Sequence, residues 1–129
     1  MTASSELVRN AFSSWEQGDS RPFFGLVAAD VDWTVIGSTP ISGRYRSKRE
    51  FLAATAPFAE RLADPIVARI VAVTGADDKV FLQWEGTSKG TNGRPYRQTY
   101  CWVMRVADDE VREVVAYLDT EMVSAMFAD

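Results

Sequence analysis

The sequence of 129 residues contains no histidine and a single cysteine. The lack of histidine excludes a Ser-His-Asp catalytic site, a Cys-His catalytic site and a histidine-containing zinc site. One thiol cannot form an internal disulfide or a zinc–thiolate site, which favours a reducing compartment. Any acid–base chemistry must therefore come from Asp, Glu, Tyr or Lys side chains.

The sequence also lacks an excess of positive charge and a long apolar run. It has 14 Lys and Arg against 18 Asp and Glu, a net charge of −4 and a pI of about 4.8. Nucleic-acid backbones need clustered Lys and Arg, and a membrane span needs roughly 18 apolar residues. The first six residues do not have the basic start and apolar stretch of a secretory signal. We therefore expect a cytoplasmic protein with neither a nucleic-acid nor a membrane partner.

With 47% hydrophobic residues, the chain can bury the core of one domain spanning residues 1–129. The first third of the chain has the 3.6-residue periodicity of a helix. The apolar face of this helix is formed by Leu7, Val8, Ala11, Phe12 and Trp15. Ser4 or Ser5 is predicted to cap its start and Gly18 to end it. A second short helix is predicted after Asp19 or Ser20, with Pro22 in its first turn.

A strand is predicted over Val31–Ile36, followed by a loop rich in Gly, Ser, Thr and Pro. Ser47 and Glu50 have the spacing of a capping box, in which each side chain satisfies a backbone donor of the other. A third helix should therefore begin there. Pro57 is predicted to kink this helix or to end it near Ala56, because proline lacks the backbone N–H.

The second half of the chain is rich in β-branched residues. Four strands are predicted over residues 66–73, 80–88, 96–106 and 111–118. The intervening turn signals, which include Asn92-Gly93 and Asp108-Asp109, are short, so these strands should form an antiparallel meander. Such long strands must twist and curl, and helices covering the concave face would leave a cavity. A terminal helix is predicted after Asp119 or Thr120.

Several segments together resemble a known superfamily. They are Trp15–Asp19, Ala29–Trp33, Ile41–Ser47, Val80–Gly86, Tyr100–Val106 and Val115–Thr120. Their content and order are similar to those of SnoaL-like proteins of the nuclear transport factor 2-like superfamily, which includes ketosteroid isomerases, polyketide cyclases and limonene epoxide hydrolase. The resemblance implies an α+β fold in which a cone-shaped, curved antiparallel sheet wraps around the N-terminal helices, a cystatin-like α+β barrel. It also implies an apolar pocket, no cofactor and a homodimer formed through the outer face of the sheet.

The catalytic residues of these relatives do not recur in this chain. The tyrosine that ketosteroid isomerases carry in the first helix would fall within residues 10–12, where there is none. Their aspartate base corresponds to Thr34 and their protonated acid to Trp102. The last-strand aspartate of limonene epoxide hydrolase corresponds to Ala116. The resemblance therefore predicts the fold more specifically than it predicts an activity.

Four residues remain as candidate proton carriers near the expected cavity, namely Asp119, Glu85, Tyr100 and Asp32. Candidate ligand-binding residues are Trp15, Trp33, Thr34, Gln98, Trp102, Ala116 and Leu118. The aromatic residues could equally fill the core, and Asp119 could be a helix cap. If Glu85 faced inward, burial would make it a candidate base. We favour an outward Glu85 paired with Arg97 or Arg105, since charged residues are rarely buried unpaired.

These patterns predict a protein that binds a small hydrophobic molecule. It would be a cofactor-free isomerase, cyclase or hydratase acting on a steroid- or polyketide-like substrate, or else a non-catalytic module for ligand binding or dimerisation. An acid inside the cavity would favour the enzyme, and its absence would favour the binding module. No metal site is expected.

Overall fold

The computed structural model describes residues 2–129 as four α-helices, one 3-10 helix and six strands. The helices are α1 (Ala3–Phe12), the 3-10 helix (Ser13–Gln17), α2 (Arg21–Leu26), α3 (Lys48–Glu60) and α4 (Thr120–Met126). The strands are β1 (Val27–Val35), β2 (Gly43–Tyr45), β3 (Val67–Ala76), β4 (Lys79–Lys89), β5 (Pro95–Ala107) and β6 (Glu110–Leu118). None of these helices has the length and apolar character needed to cross a bilayer.

All six strands form one curved sheet in the order β2-β1-β6-β5-β4-β3. The four long strands β3 to β6 form the predicted antiparallel meander. β1 adds to it in parallel with β6, with Val35 opposite Ala116. The sheet is therefore mixed and not closed, within the α+β architecture that the resemblance implies. A parallel pair needs a long crossover, and the chain from β2 through α3 and the meander provides it.

The N-terminal helix is capped one turn earlier than predicted. Thr2 is the N-cap, and its hydroxyl accepts a hydrogen bond from Ser5 N at 3.0 Å. Ser5 Oγ accepts one from Thr2 N at 2.9 Å, which completes a capping box. The prediction of Ser4 or Ser5 as the cap is thus wrong, because Ser5 occupies the third helical position of the box. Gly18 ends the following 3-10 helix in the left-handed region, as predicted, with φ of 88°.

The other predicted helix starts agree with the structure. Ser20 precedes α2, and Ser47 caps α3 by accepting a hydrogen bond from Glu50 N at 3.0 Å. The prediction that α3 could end near Ala56 is wrong, since the helix continues through Pro57 to Glu60. Its last turn is packed into the core, where the Phe58 ring lies 5.3 Å from the Tyr96 ring. Burial of Phe58 stabilises the last turn of α3, although Pro57 lacks the backbone N–H of a helical hydrogen bond.

The hairpin between β5 and β6 turns at the predicted aspartates. Asp108 and Asp109 both have positive φ, 53° and 58°, which is the conformation of a type I′ turn. Gly93, with φ of 85°, turns the chain between β4 and β5. The core lies between the concave face of the sheet and the helices, including Val123 and Met126 of α4. Along β5 every second residue, from Tyr96 to Val106, is buried there.

Candidate functional site

An apolar cavity of about 180 Å³ lies between the concave face of the sheet and the helices. Its lining includes four tryptophans, three phenylalanines and two tyrosines, which are Trp15, Trp33, Trp84, Trp102, Phe24, Phe51, Phe58, Tyr96 and Tyr100. Aliphatic side chains complete the wall, with Ala116 and Leu118 on β6. Strand alternation explains this lining, because residues two apart on β5 and β6 face the same side.

Two stacked ring pairs form part of the cavity wall. The Trp84 and Tyr100 rings lie 3.9 Å apart at 11°, and the Trp33 and Phe51 rings lie 4.0 Å apart at 24°. Trp102 stands nearly perpendicular to both tryptophans, at 84° to Trp84 and 81° to Trp33. Offset-stacked and edge-to-face contacts are the favoured geometries of aromatic pairs. The rings therefore hold one another in place around the cavity.

Gly86 allows one of these stacks to form. A Cβ atom at this position would lie 2.9 Å from Ile66 Cγ2, 3.1 Å from Trp84 Cζ3 and 3.1 Å from Tyr100 Cε2. Each distance is shorter than an ordinary carbon–carbon contact of about 3.5–4.0 Å. The missing side chain thus lets the rings of two neighbouring strands pack directly on the backbone of β4.

Gln98 is a buried amide whose hydrogen bonds join β5 to the end of β6. Its Oε1 accepts from Thr99 N at 3.0 Å and from Asp119 N at 2.7 Å. Its Nε2 donates to Asp119 O at 2.8 Å and to Tyr96 Oη at 3.2 Å. The oxygen therefore accepts two hydrogen bonds and the nitrogen donates two, which satisfies the buried amide completely. Gln98 acts here as a clamp that fixes both the strand end and the Tyr96 hydroxyl.

Tyr96 and Tyr100 are joined by a hydrogen bond of 2.7 Å between their hydroxyl oxygens. Burial raises the pKa of Tyr96 to about 12, against a smaller opposing effect of its hydrogen bonds to Tyr100 and Gln98. Burial likewise raises the pKa of Tyr100 well above its usual value of 10, and the neighbouring Tyr96 adds to this. Both phenols are therefore neutral near pH 7 and can donate hydrogen bonds there.

The four tryptophans of the cavity differ in how their indole N–H groups are satisfied. Trp15 Nε1 donates to Ile66 O at 2.8 Å. The Nε1 atoms of Trp33, Trp84 and Trp102 are buried and have no hydrogen-bond acceptor among residues 2–129. These three side chains are only 1–5% exposed. Leaving a buried donor unpaired costs roughly 1–3 kcal/mol, so three at one cavity are a distinctive feature.

The structure brings most of the predicted ligand-binding residues together. Trp15, Trp33, Trp102, Ala116 and Leu118 all line the cavity. The remaining two do not line it. Gln98 lies behind the wall, as described above, and Thr34 alternates with the buried residues Trp33 and Val35 on β1, which puts it on the other face of the sheet.

Of the four predicted proton carriers, only Tyr100 lines the cavity. Asp32 lies on the outer face of β1 and receives two hydrogen bonds from Arg44, at 2.9 and 2.6 Å. The hydrogen bond from Arg44 lowers the pKa of Asp32. Asp119 caps α4, and its Oδ1 accepts from Glu121 N at 3.1 Å.

Glu85 lies on the outer face, as favoured from the sequence, but its partner differs from the predicted one. Arg69 Nε donates to Glu85 Oε1 at 2.9 Å. The reason is the register of β3 against β4, which puts Arg69 directly opposite Glu85. Arg105 is paired instead with Glu113, at 3.0 Å. Residues 2–129 contain no cluster of three or more acidic or thiol side chains that could hold a metal.

Sequence reasoning did not select several residues that line the cavity. Phe51 and Phe58 are seven residues apart on α3, the spacing that puts two side chains on one helix face. Trp84 shares a face with Leu82 on β4, and Tyr96 shares the face of Trp102 on β5. The periodicity signal was therefore present for all four. The sequence does not show how α3 packs across the sheet, and this packing is what brings these side chains to one cavity.

Comparisons with known proteins agree with this geometry. A model of the SnoaL-like domain matches residues 8–114. No curated protein sequence matches the chain. Among solved structures, the chain is similar to an NTF2-like protein from Burkholderia thailandensis, with 18% identity, full coverage of both chains and a TM-score of 0.81. It is also similar to a protein with a cystatin-like fold from Xanthomonas campestris, with 18% identity, coverage of 99% and 100% and a TM-score of 0.82.

A third similar structure is a protein with a ketosteroid isomerase-like fold from Catenulispora acidiphila, in complex with trimethylamine. It has 15% identity, coverage of 98% of this chain and 93% of the other, and a TM-score of 0.71. At such identities the likeness shows the fold alone. The family model spans most of the chain, however, and the resemblance seen in the sequence is confirmed. The chain belongs to the SnoaL-like domain family.

Proposed function

We propose that this protein binds a small, largely apolar molecule in the aromatic cavity. The observation that carries this proposal is the cavity itself, about 180 Å³ of space lined by nine aromatic side chains and, within residues 2–129, by no charged one. Clefts with such a mainly apolar and aromatic lining are the usual binding sites of small molecules. The SnoaL-like fold supports a small-molecule-binding domain in the same sense.

The make-up of the lining supports binding without proton abstraction as the primary role. The cavity wall, as far as residues 2–129 form it, includes no Asp, Glu, Lys or Arg side chain. Its titratable groups are Tyr96 and Tyr100, whose raised pKa values keep them protonated near neutral pH. A general base should have a pKa near the working pH, which neither phenol has.

A cofactor-free isomerase, cyclase or hydratase is the second candidate, and one observation favours it. Tyr100 lines the cavity, and its hydroxyl is hydrogen-bonded to that of Tyr96 at 2.7 Å. A neutral phenol in this setting could polarise a ligand carbonyl by donating to its oxygen, as preorganised donors do in oxyanion sites. Turnover abolished by Tyr100→Phe, with ligand binding retained, would support this candidate over simple binding.

Cavity filling tests the binding proposal. Ala116 lines the cavity, and Ala116→Leu would occupy part of its volume of about 180 Å³. Ala53→Leu, on the exposed side of α3, is the matched control. We expect small aromatic molecules to quench or shift the tryptophan fluorescence of the parent protein and of the control. The same molecules should bind the Ala116→Leu variant at least tenfold more weakly than they bind the parent. Unchanged affinity in Ala116→Leu, or no binding to the parent, would contradict the proposal. Ala116→Val is the milder substitution if leucine prevents folding.

We further propose that two copies associate through the outer face of the sheet, in the reducing cytoplasm that the single free thiol favours. The supporting observation is three large apolar side chains exposed on that face, with Val71 52%, Tyr117 47% and Phe81 37% exposed. Light scattering after gel filtration should give the mass of a dimer, and Tyr117→Glu should reduce it to that of a monomer. Ala53→Glu on α3 is the control. A monomeric parent protein would contradict this proposal.

A further inference from the structure

We infer that the ligand of the cavity is a neutral molecule with a single ring and a hydrogen-bond acceptor, such as a cyclic or aryl ketone. This inference rests on the proposed binding function and adds the chemical class of the ligand. Three features of the cavity lead to it, namely its volume, the count of its hydroxyl protons and the absence of charged side chains from its described lining.

The volume sets the size of the ligand. A buried apolar cavity of about 150 Å³ is sufficient to hold one benzene molecule. The cavity described above measures about 180 Å³, which leaves room for one ring and a short substituent. A steroid has four fused rings and does not fit this volume. The ligand is therefore smaller than the steroid- or polyketide-like molecule that the resemblance implies.

The hydroxyl protons of Tyr96 and Tyr100 can be counted because the Gln98 amide has a defined orientation. Its oxygen accepts from the two backbone N–H groups of Thr99 and Asp119, so its nitrogen must be the donor to Tyr96 Oη. The two phenols then share one hydrogen bond but carry two protons. One O–H donor therefore remains unused, whichever tyrosine holds it, and no other acceptor in the described chain contacts either hydroxyl.

The free polar group among the lining residues is therefore a donor, the unused O–H of the Tyr96–Tyr100 pair. The indole N–H groups of Trp33, Trp84 and Trp102 are buried in the packing and do not face the cavity space. Thr55 is the other hydroxyl in the lining, and it donates to Phe51 O within α3 at 2.9 Å. A ligand that complements this wall must accept hydrogen bonds. It must also be neutral, because the lining holds no side chain of opposite charge to offset the burial of an ion.

A pair of ligands with the same shape tests the acceptor requirement. Acetophenone and α-methylstyrene differ only in a carbonyl oxygen against a methylene group. In a cavity without free donors the hydrocarbon must bind more tightly, since the ketone loses its hydrogen bonds to water. We expect acetophenone to bind at least as tightly as α-methylstyrene, as measured by titration calorimetry. Tighter binding of α-methylstyrene would overturn the inference.

The tyrosine donor is tested by a conservative variant in the same titration. Either single Tyr→Phe variant leaves one unpaired O–H, so the double variant Tyr96→Phe with Tyr100→Phe is the one that removes the free donor. It should weaken acetophenone binding about tenfold and leave α-methylstyrene binding unchanged, and Tyr117→Phe on the outer face is the control. Equal weakening of both ligands, or of neither, would contradict the role of the hydroxyl pair.

An independent readout comes from the indole N–H resonances of nitrogen-15-labelled protein. Acetophenone should shift the resonances of the four cavity tryptophans, Trp15, Trp33, Trp84 and Trp102, because its ring would lie against theirs. Benzoate, trimethylanilinium and a four-ring steroid ketone complete the panel. If any of these three compounds bound more tightly than acetophenone, the inferred ligand class would be wrong although the binding function would stand. No binding by any compound would instead refute the proposed function itself.

Discussion

The two faces of one strand, β5, have opposite chemistry. Its inward residues, Tyr96, Gln98, Tyr100, Trp102 and Met104, are all buried, whereas their neighbours Arg97, Thr99, Cys101, Val103 and Arg105 are exposed or partly exposed. On the inner face the polar groups are uncharged; those of Tyr96, Gln98 and Tyr100 are hydrogen-bonded within the protein, whereas Trp102 Nε1 has no acceptor among residues 2–129. On the outer face, charges pair across strands in contact with solvent. The same backbone thus supports a buried, mainly aromatic wall on one side and a solvent-exposed surface on the other.

This difference indicates which side chains contribute most to the free energy of unfolding. A buried aromatic residue contributes through area and ring contacts that water cannot replace. An exposed ion pair exchanges hydration for a contact of similar free energy. Substitutions on the inner face should therefore cost several times more than substitutions on the outer face. The following four experiments test this contrast, beginning with the largest effect.

Trp84→Ala removes the centre of the inner aromatic wall. Trp84 is 1% exposed and stacks on Tyr100 at 3.9 Å. We expect the free energy of unfolding to fall by about 3–5 kcal/mol, as is typical of a buried Trp replaced by Ala. Urea unfolding measures this change. Gln83→Ala, the exposed neighbour on β4, should change stability by no more than about 0.5 kcal/mol. Similar losses at both positions would contradict the contrast between the faces.

Alkaline pH should destabilise the protein through its inner tyrosines. The unfolded chain loses the Tyr96 proton near pH 10, whereas the folded chain holds it until about pH 12. Between these values the unfolded state binds fewer protons, so stability decreases as pH rises, and it is independent of this group below pH 10. The loss from Tyr96 is about 2–3 kcal/mol at pH 12.

Denaturant unfolding between pH 8 and pH 12 measures this loss. Tyr96→Phe should reduce the slope of stability against pH above pH 10. Tyr117→Phe, on the outer face, is the matched control. An unchanged alkaline slope in Tyr96→Phe would show that Tyr96 is not responsible.

Gln98→Leu keeps the side-chain shape but removes the clamp on Asp119. The backbone N–H and C=O of Asp119 both bond to this amide, and residue 119 lies close enough to the surface for water to replace part of the loss. We expect a loss of about 1–2 kcal/mol in thermal or chemical unfolding. Thr99→Val, the next residue on the outer face, should have a smaller effect. A stabilised Gln98→Leu variant would mean that the amide network is not favourable.

The ion pair of Arg69 and Glu85 should have the smallest effect. Its side chains are 67% and 43% exposed, so water screens the attraction. A double-mutant cycle with Arg69→Ala and Glu85→Ala should give a coupling of about 0.2–1 kcal/mol, reduced further at 1 M salt. A coupling above about 2 kcal/mol would show that the outer face carries stability comparable with that of the inner face.

The sequence was sufficient for the order of helices and long strands because these depend on local patterns. The box at Ser47 and Glu50, the turn at Asp108-Asp109 and the alternation along β5 act over a few residues. The local signals did not indicate β2, which has only three residues, or the passage of α3 through Pro57. Each of these depends on contacts with residues distant in the chain.

For the candidate site, too, some features follow from local sequence patterns and others depend on tertiary packing. Alternation along a strand already separates Trp102 from Cys101, and the lack of histidine alone excludes whole classes of catalyst. Only the tertiary structure decided that Glu85 meets Arg69, and that Tyr96, Tyr100 and four tryptophans line one small cavity. The physical reason is that side-chain period follows from the backbone alone, whereas register, burial and hydrogen-bond partners exist only once distant strands and helices have packed together.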